Sequence, residues 1–125
     1  MIRRAQAEVR EWRMGMGLPV SAGPGIRNPQ LHGDLIIEEA TETVAALNSG
    51  DIVEVADGLA DLLVVILGCA EECGIELEPV FGAVMASNWT KTPGLRREDG
   101  KLQKGPNYRP PDIAAVLRAQ GWGGK

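Results

Sequence analysis

Apolar residues recur at helical spacing along most of this chain, and glycine or proline stands wherever the pattern lapses. The first helix is predicted from about Arg3 to Met14, polar except for a face of Ile2, Ala5, Val9 and Trp12. Gly and Pro then break it, and 15–29 reads as a loop rather than a domain linker, since the remainder is too short for a second domain. The next helix is expected from about Leu31 or Asp34 to Leu47, where Asn48-Ser49-Gly50-Asp51 supplies its stop and the N-cap of its successor, making a tight helical hairpin. The third helix runs from Ile52 to about Cys73 and ends at Gly74, a natural αL cap. A fourth is predicted from about Pro79 to Trp89, and a short fifth from Asp112 to about Ala119. Between them, from Thr90 to Pro111, the chain turns Gly-, Pro- and base-rich. The expected fold is all-α: a four-to-five-helix bundle, one domain over 1–125, with a flexible basic segment from about residue 90.

The third helix stands apart because it is apolar all round from Leu62 to Leu67, the signature of a helix central to its bundle. The longest apolar run, Leu62 to Ala70, is about half of what a bilayer-spanning helix needs. At 125 residues, 44% hydrophobic and 4% aromatic, the chain can bury a sizeable core. Its start leads into Gln, Glu and Arg rather than an apolar signal core, so a cytoplasmic protein is expected. Cys69 and Cys73, at i, i+4 on the third helix, read as reduced, buried packing residues.

Charge changes the picture. The net charge is only −4, but from Asn28 to Thr90 the chain carries twelve Asp or Glu and no Lys or Arg; five of the thirteen bases precede this span and eight follow it. A modest negative total argues against a nucleic-acid polymer or an anionic membrane as partner, and sorted charge suits a site that holds a cation together with an anionic ligand. Six of the acids fall into two clusters. At about 100° per residue, Glu38, Glu39 and Glu42 span an arc of roughly 100° on the second helix, and Glu54, Asp57 and Asp61 about 60° on the third. On the second helix Ile36, Ala40, Val44 and Leu47 take the opposite side, so an ordinary amphipathic helix with a solvated acidic face accounts for the first cluster. The second cluster sits on the central helix and has no such account. Facing one another across the hairpin, the two stripes need divalent cations, and oxygen-only donors select Mg²⁺ or Mn²⁺ over zinc. The other six acids read as ordinary. His32, the only histidine, reads as a surface or packing residue; the lack of others removes a ferritin-like di-iron site and argues against a Ser-His-Asp or Cys-His nucleophile.

These residues resemble the all-α nucleotide pyrophosphohydrolases of the MazG and phosphoribosyl-ATP pyrophosphatase type. The matching pattern is EExxE followed by ExxD, here Glu38-Glu39-x-x-Glu42 and Glu54-x-x-Asp57, with Asp61 one turn on. The segments 35–39 and 56–63, and in the C-terminal part 87–91, 99–101 and 104–108, also look like the family. The resemblance implies a MazG-like bundle that hydrolyses nucleoside triphosphates between the α and β phosphates, with Mg²⁺ as cofactor. It makes Glu38 and Glu39 the catalytic pair and Glu39, Glu42, Glu54 and Asp57 the main metal ligands. Glu38 either binds metal or serves as the base that orients the water, and Asp61 is a ligand or stands behind the ligands. Many relatives place the Asp of the second pair directly before the apolar run, which selects Asp61, whereas Gly58 here occupies the partner position. For substrate binding the candidates are Lys91 and Lys104 on the phosphates, with Lys101 and Arg109 behind them. Asn88 suits a sugar hydroxyl or base edge, and Tyr108 or Trp12 suits stacking on a base. The resemblance further implies a homodimer or homotetramer, with the C-terminal segment of one chain serving the site of its neighbour. Deoxynucleotides such as dUTP or dCTP fall within the expected range. Two other readings stand beside the enzyme: a non-catalytic nucleotide- or metal-binding module, and an acidic helical interaction protein without metal.

Overall fold

The computed structural model of the chain describes residues 1–124. It is all-helical: α1 (Ile2–Gly15), α2 (Pro29–Ser49), α3 (Ile52–Glu72), α4 (Leu77–Asn88) and α5 (Ile113–Ala119). Two helix starts come earlier than the sequence suggests. Pro29 at the first position, where its missing N–H costs nothing, starts α2 two residues before Leu31, and α4 starts at Leu77, so that Pro79 lies inside its first turn. The α2–α3 hairpin turns as expected: Gly50 adopts φ 75° and Asp51 caps α3 by accepting from the N–H of Val53 and Glu54.

Helix α3 packs along α2 on one side and α1 on the other; α1 also touches α4, and α4 carries α5. Gly58 sets the approach of α2 to α3, because a Cβ there would stand 2.6 Å from Thr43 Oγ1 and 3.3 Å from the Thr43 backbone. The stripe of α2 turned to this contact holds His32, Thr43 and Ala46. Val44 and Leu47, expected on the packed side, are exposed. The reading of α2 as a helix with a wholly solvated acidic face is therefore corrected, since Glu39 shares the packed stripe at i−4 from Thr43. The all-round burial expected for α3 is corrected too. Leu67 is buried, but Leu63 is 50% exposed, and Val64 and Ile66 are also exposed, because one chain supplies only two flanking helices and leaves the third side open.

Much of what is buried is polar. Gln6 Nε2 donates to Glu71 Oε2 at 2.8 Å and to the Ile75 carbonyl at 2.7 Å, while its Oε1 accepts from Leu77 N–H. Arg10 grips Glu71 through Nε and Nη2 at 2.6 and 3.0 Å, and its Nη2 also reaches Glu76 at 2.8 Å. Arg13 joins Glu72 at 3.2 Å and the Pro19 carbonyl, and His32 Nε2 lies 2.9 Å from the same Glu72 oxygen. Glu71 and Glu72, which read as ordinary acids, are thus the buried anions of the fold, held by bases from α1. His32 is the buried one of its two expected alternatives. The 15–29 loop closes over this end of α3: Ser21 N–H donates to the Glu71 carbonyl, Gly25 N–H to the Cys73 carbonyl, and Arg27 Nη1 to the Glu72 carbonyl. Gly74 (φ 67°) backs directly onto Gly23, so it needs both the left-handed backbone and the missing Cβ. Cys69 and Cys73 are free thiols; Cys73 is buried as expected, whereas Cys69 is only partly buried.

After Thr90 the chain forms a small irregular hairpin closed by an antiparallel bridge between Arg96 and Leu102, with Asp99-Gly100 at its turn. Ser87 Oγ donates to the Arg109 carbonyl and Arg109 N–H to Thr90 Oγ1, tying this segment to the end of α4. Asp112 caps α5, and Gln120 exchanges two hydrogen bonds with the backbone of Glu76. Among the described residues no helix is long and apolar enough to cross a membrane.

Candidate active site: an uncompensated carboxylate groove

The hairpin brings the acid motifs together in a fixed order. With Gly58 against Thr43 and the helices antiparallel, a step toward the N terminus of α2 matches a step toward the C terminus of α3. Glu39, one turn before Thr43, therefore meets the level of Asp61; Glu42 meets the level of Asp57; Glu54 lies a turn beyond, level with Ala46. Glu39 is the centre. Its pKa is raised above the ordinary glutamate value, first by burial and then by the carboxylates of Glu42, Asp61, Glu38 and Asp57. Asp57 and Asp61 thus both bear on Glu39.

Among the described residues no base pairs with any of these six acids. Arg3, Arg10 and Arg13 are taken by Glu78, by Glu71 and Glu76, and by Glu72, and Arg97 by Asp99. Glu39 Oε2 is the one buried side-chain polar atom among the described residues with no hydrogen-bond partner. A buried carboxylate oxygen without a donor is costly, and here its surroundings are further anions rather than N–H groups. Among the described residues no three Asp, Glu, His or Cys side chains converge closely enough to share one ion. The donor chemistry fits a hard divalent cation: carboxylate oxygens only, an excess of negative charge, and one buried oxygen without a partner.

The residues expected on the substrate fall into two places. Trp12, half exposed, lines an open cavity of about 550 Å³ between α1 and α3 with Ala5, Glu8, Val9, Ala60, Leu63, Val64 and Leu67. This cavity borders the acid groove, since Ala60 follows Asp57, and Val64 follows Asp61, by three residues on the same helix. Lys91 and Lys104 line a separate basic cavity of about 450 Å³ with Arg97 and Lys101, and Lys104 Nζ stands 5.0 Å from the centre of the Tyr108 ring. Asn88, the last residue of α4, donates weakly to Met85 Sδ at 3.7 Å. None of the six acids lines the basic cavity, and the hydrogen bonds of 90–110 run within the segment and to α4. Within one chain neither cavity is lined by any of the six acids: Trp12 stands on the cavity between α1 and α3, and Lys91 and Lys104 on the basic one. Glu8 was not singled out from the sequence. Its i, i+4 spacing to Trp12 was the available signal.

The groove has the composition of a site for metal-assisted attack on a phosphoanhydride: excess carboxylate, no nucleophilic Ser, Cys or His, and an adjoining apolar cavity with an aromatic wall. Curated proteins offer no match to this chain. A family does: residues 22–88, more than half of the chain and the whole of the acid hairpin, match phosphoribosyl-ATP pyrophosphohydrolase. The chain belongs to that family, within the MazG-like all-α superfamily of pyrophosphohydrolases, enzymes that hydrolyse phosphoanhydride bonds.

Proposed function

We propose that the chain hydrolyses a nucleoside triphosphate between the α and β phosphates, giving a monophosphate and pyrophosphate, and that Mg²⁺, replaceable by Mn²⁺, is its cofactor. The observation that carries this reading is Glu39, a half-buried carboxylate with one unpartnered oxygen, surrounded by Glu38, Glu42, Asp57 and Asp61 without a base among them. These residues and Glu54 would hold the metal. When bound, the ion cancels polyphosphate charge and lowers the pKa of a water molecule so that it can attack. Glu38, exposed at the groove's rim, is the group suited to orient that water and accept its proton.

Nucleotide recognition divides between two chains in this reading. Trp12 stacks on the base beside the groove, while Lys91 and Lys104, with Asn88 and Tyr108, reach the phosphates and sugar from a neighbouring copy. Support for a homodimer or homotetramer comes from the apolar residues that one chain leaves open away from the Trp12 cavity, Ile66, Phe81 and Val84 among them. The setting that fits is the cytoplasmic nucleotide pool, with deoxynucleotides such as dUTP or dCTP as candidate substrates. The test is a panel of nucleoside triphosphates and phosphoribosyl-ATP incubated with Mg²⁺ and assayed for pyrophosphate. Stoichiometric pyrophosphate and monophosphate are expected from at least one of them; release of orthophosphate alone, or no product from any, would overturn the assignment.

A further inference from the structure

The cavity between α1 and α3 has one charged group in its lining. Ala5, Val9, Ala60, Leu63, Val64 and Leu67 give it hydrocarbon walls, Trp12 gives it an aromatic face, and Glu8 alone brings charge. Glu8 makes no hydrogen bond or ion pair among the described residues, and it stands one helical turn from Trp12 on the same face of α1. A base stacked on the Trp12 ring would have the exposed Glu8 carboxylate within reach of its edge. Ala60 on the cavity wall lies three residues from Asp57, about 4.5 Å along α3, and next to Asp61 in the chain, so the cavity opens beside the carboxylates.

A carboxylate at neutral pH only accepts hydrogen bonds. Opposite an exocyclic amino group it gains a charge-assisted bond, and opposite a carbonyl oxygen it meets another acceptor. We infer that Glu8 is a specificity-determining residue that reads the base edge, selecting nucleotides whose base carries an amino group over those with a carbonyl at that position. This rests on the hydrolase reading for the position of the phosphates. Ala5 and Ala60 are the small residues of the lining, and Glu8 supplies the sign of the selection.

Cytosine and uracil make the cleanest comparison, being equal in size and differing at one edge by an amino group against a carbonyl. In kcat/KM the wild-type chain is expected to favour dCTP over dUTP by about tenfold or more, the usual effect of one matched polar contact. Glu8→Gln, whose amide offers either a donor or an acceptor, is expected to bring the ratio close to one. A wild-type preference for dUTP, or a dCTP preference undiminished in Glu8→Gln, would overturn the inference. Binding of dCMP and dUMP, followed by the quenching of fluorescence that is lost in Trp12→Phe, gives a second readout. If no nucleotide releases pyrophosphate yet dCMP binds about tenfold tighter than dUMP only when Glu8 is present, the hydrolase reading falls and the base-edge role stands. Equal binding of the two monophosphates by the wild-type chain would defeat the role of Glu8 whatever the turnover.

Discussion

Glu39 concentrates the argument at the scale of single residues. Its raised pKa follows from burial and from four neighbouring carboxylates, so the charged form is held at a cost that an external cation relieves. Glu39→Gln is expected to lower pyrophosphate release by more than about a hundredfold, beyond the range for groups that merely support ligands, while leaving the metal-free protein at least as stable in thermal melts. A variant that unfolds without metal would make the acid structural instead. Glu78 behaves oppositely. The Arg3 N–H first, then the chain's terminal ammonium, hold its pKa below the ordinary glutamate value. The unfolded chain then binds the proton more readily, so Glu78 stabilises the fold above the ordinary value and ceases to as pH falls through the lowered one. Glu78→Gln should melt lower than wild type near neutral pH, and the two melting temperatures should converge in strong acid. The six groove acids were legible in the sequence because helical spacing alone gathers them. The roles of Glu71 and Glu72 were not, because their partners Arg10 and Arg13 lie about sixty residues away.

Among the elements, the α2–α3 hairpin does most to build the site, and one glycine fixes its register. Gly58 looked like a departure from the expected pattern; in the fold it is the point where α3 meets Thr43. Gly58→Ala is expected to destabilise the chain by about 1–3 kcal/mol through overpacking. Removing the obstructing hydroxyl in a Thr43→Ala double variant should recover part of that loss, so the two denaturation free energies should not add. Additive losses would mean that the contact does not set the helix spacing. All five helices could be read from periodicity, capping and Gly or Pro punctuation. What periodicity missed was which face of α2 packs, since Val44 and Leu47 satisfy an apolar stripe yet point outward, while His32, Thr43 and Ala46 take the contact. The hairpin after Thr90 carried its own signal in Asp99-Gly100, a pair suited to a tight turn, but nothing in a Gly- and Pro-rich stretch marks which residues pair across it.

At the scale of the whole molecule the charge sorting has two explanations. Bases on α1 neutralise the acids from Glu71 to Glu78 and hold the bundle together, while the bases after Thr90 remain apart from the groove acids. The second set makes sense if a neighbouring chain brings it to the groove, and the apolar surface left open by α3 and α4 supports such assembly. Phe81→Glu, outside the Trp12 cavity, should shift sedimentation from oligomer to monomer, and activity should fall with it; an active monomer would contradict a shared site. Metal is the other whole-molecule variable. With Mg²⁺ at about a hundred times its dissociation constant, the fold should gain about 2.7 kcal/mol, and a Glu39→Gln, Asp57→Asn double variant should gain far less. The most direct test of the account is phosphorus NMR of a nucleoside triphosphate digest run with Mg²⁺ and again with excess chelator. The account predicts monophosphate and pyrophosphate in the first and unchanged triphosphate in the second; equal turnover in both would contradict it.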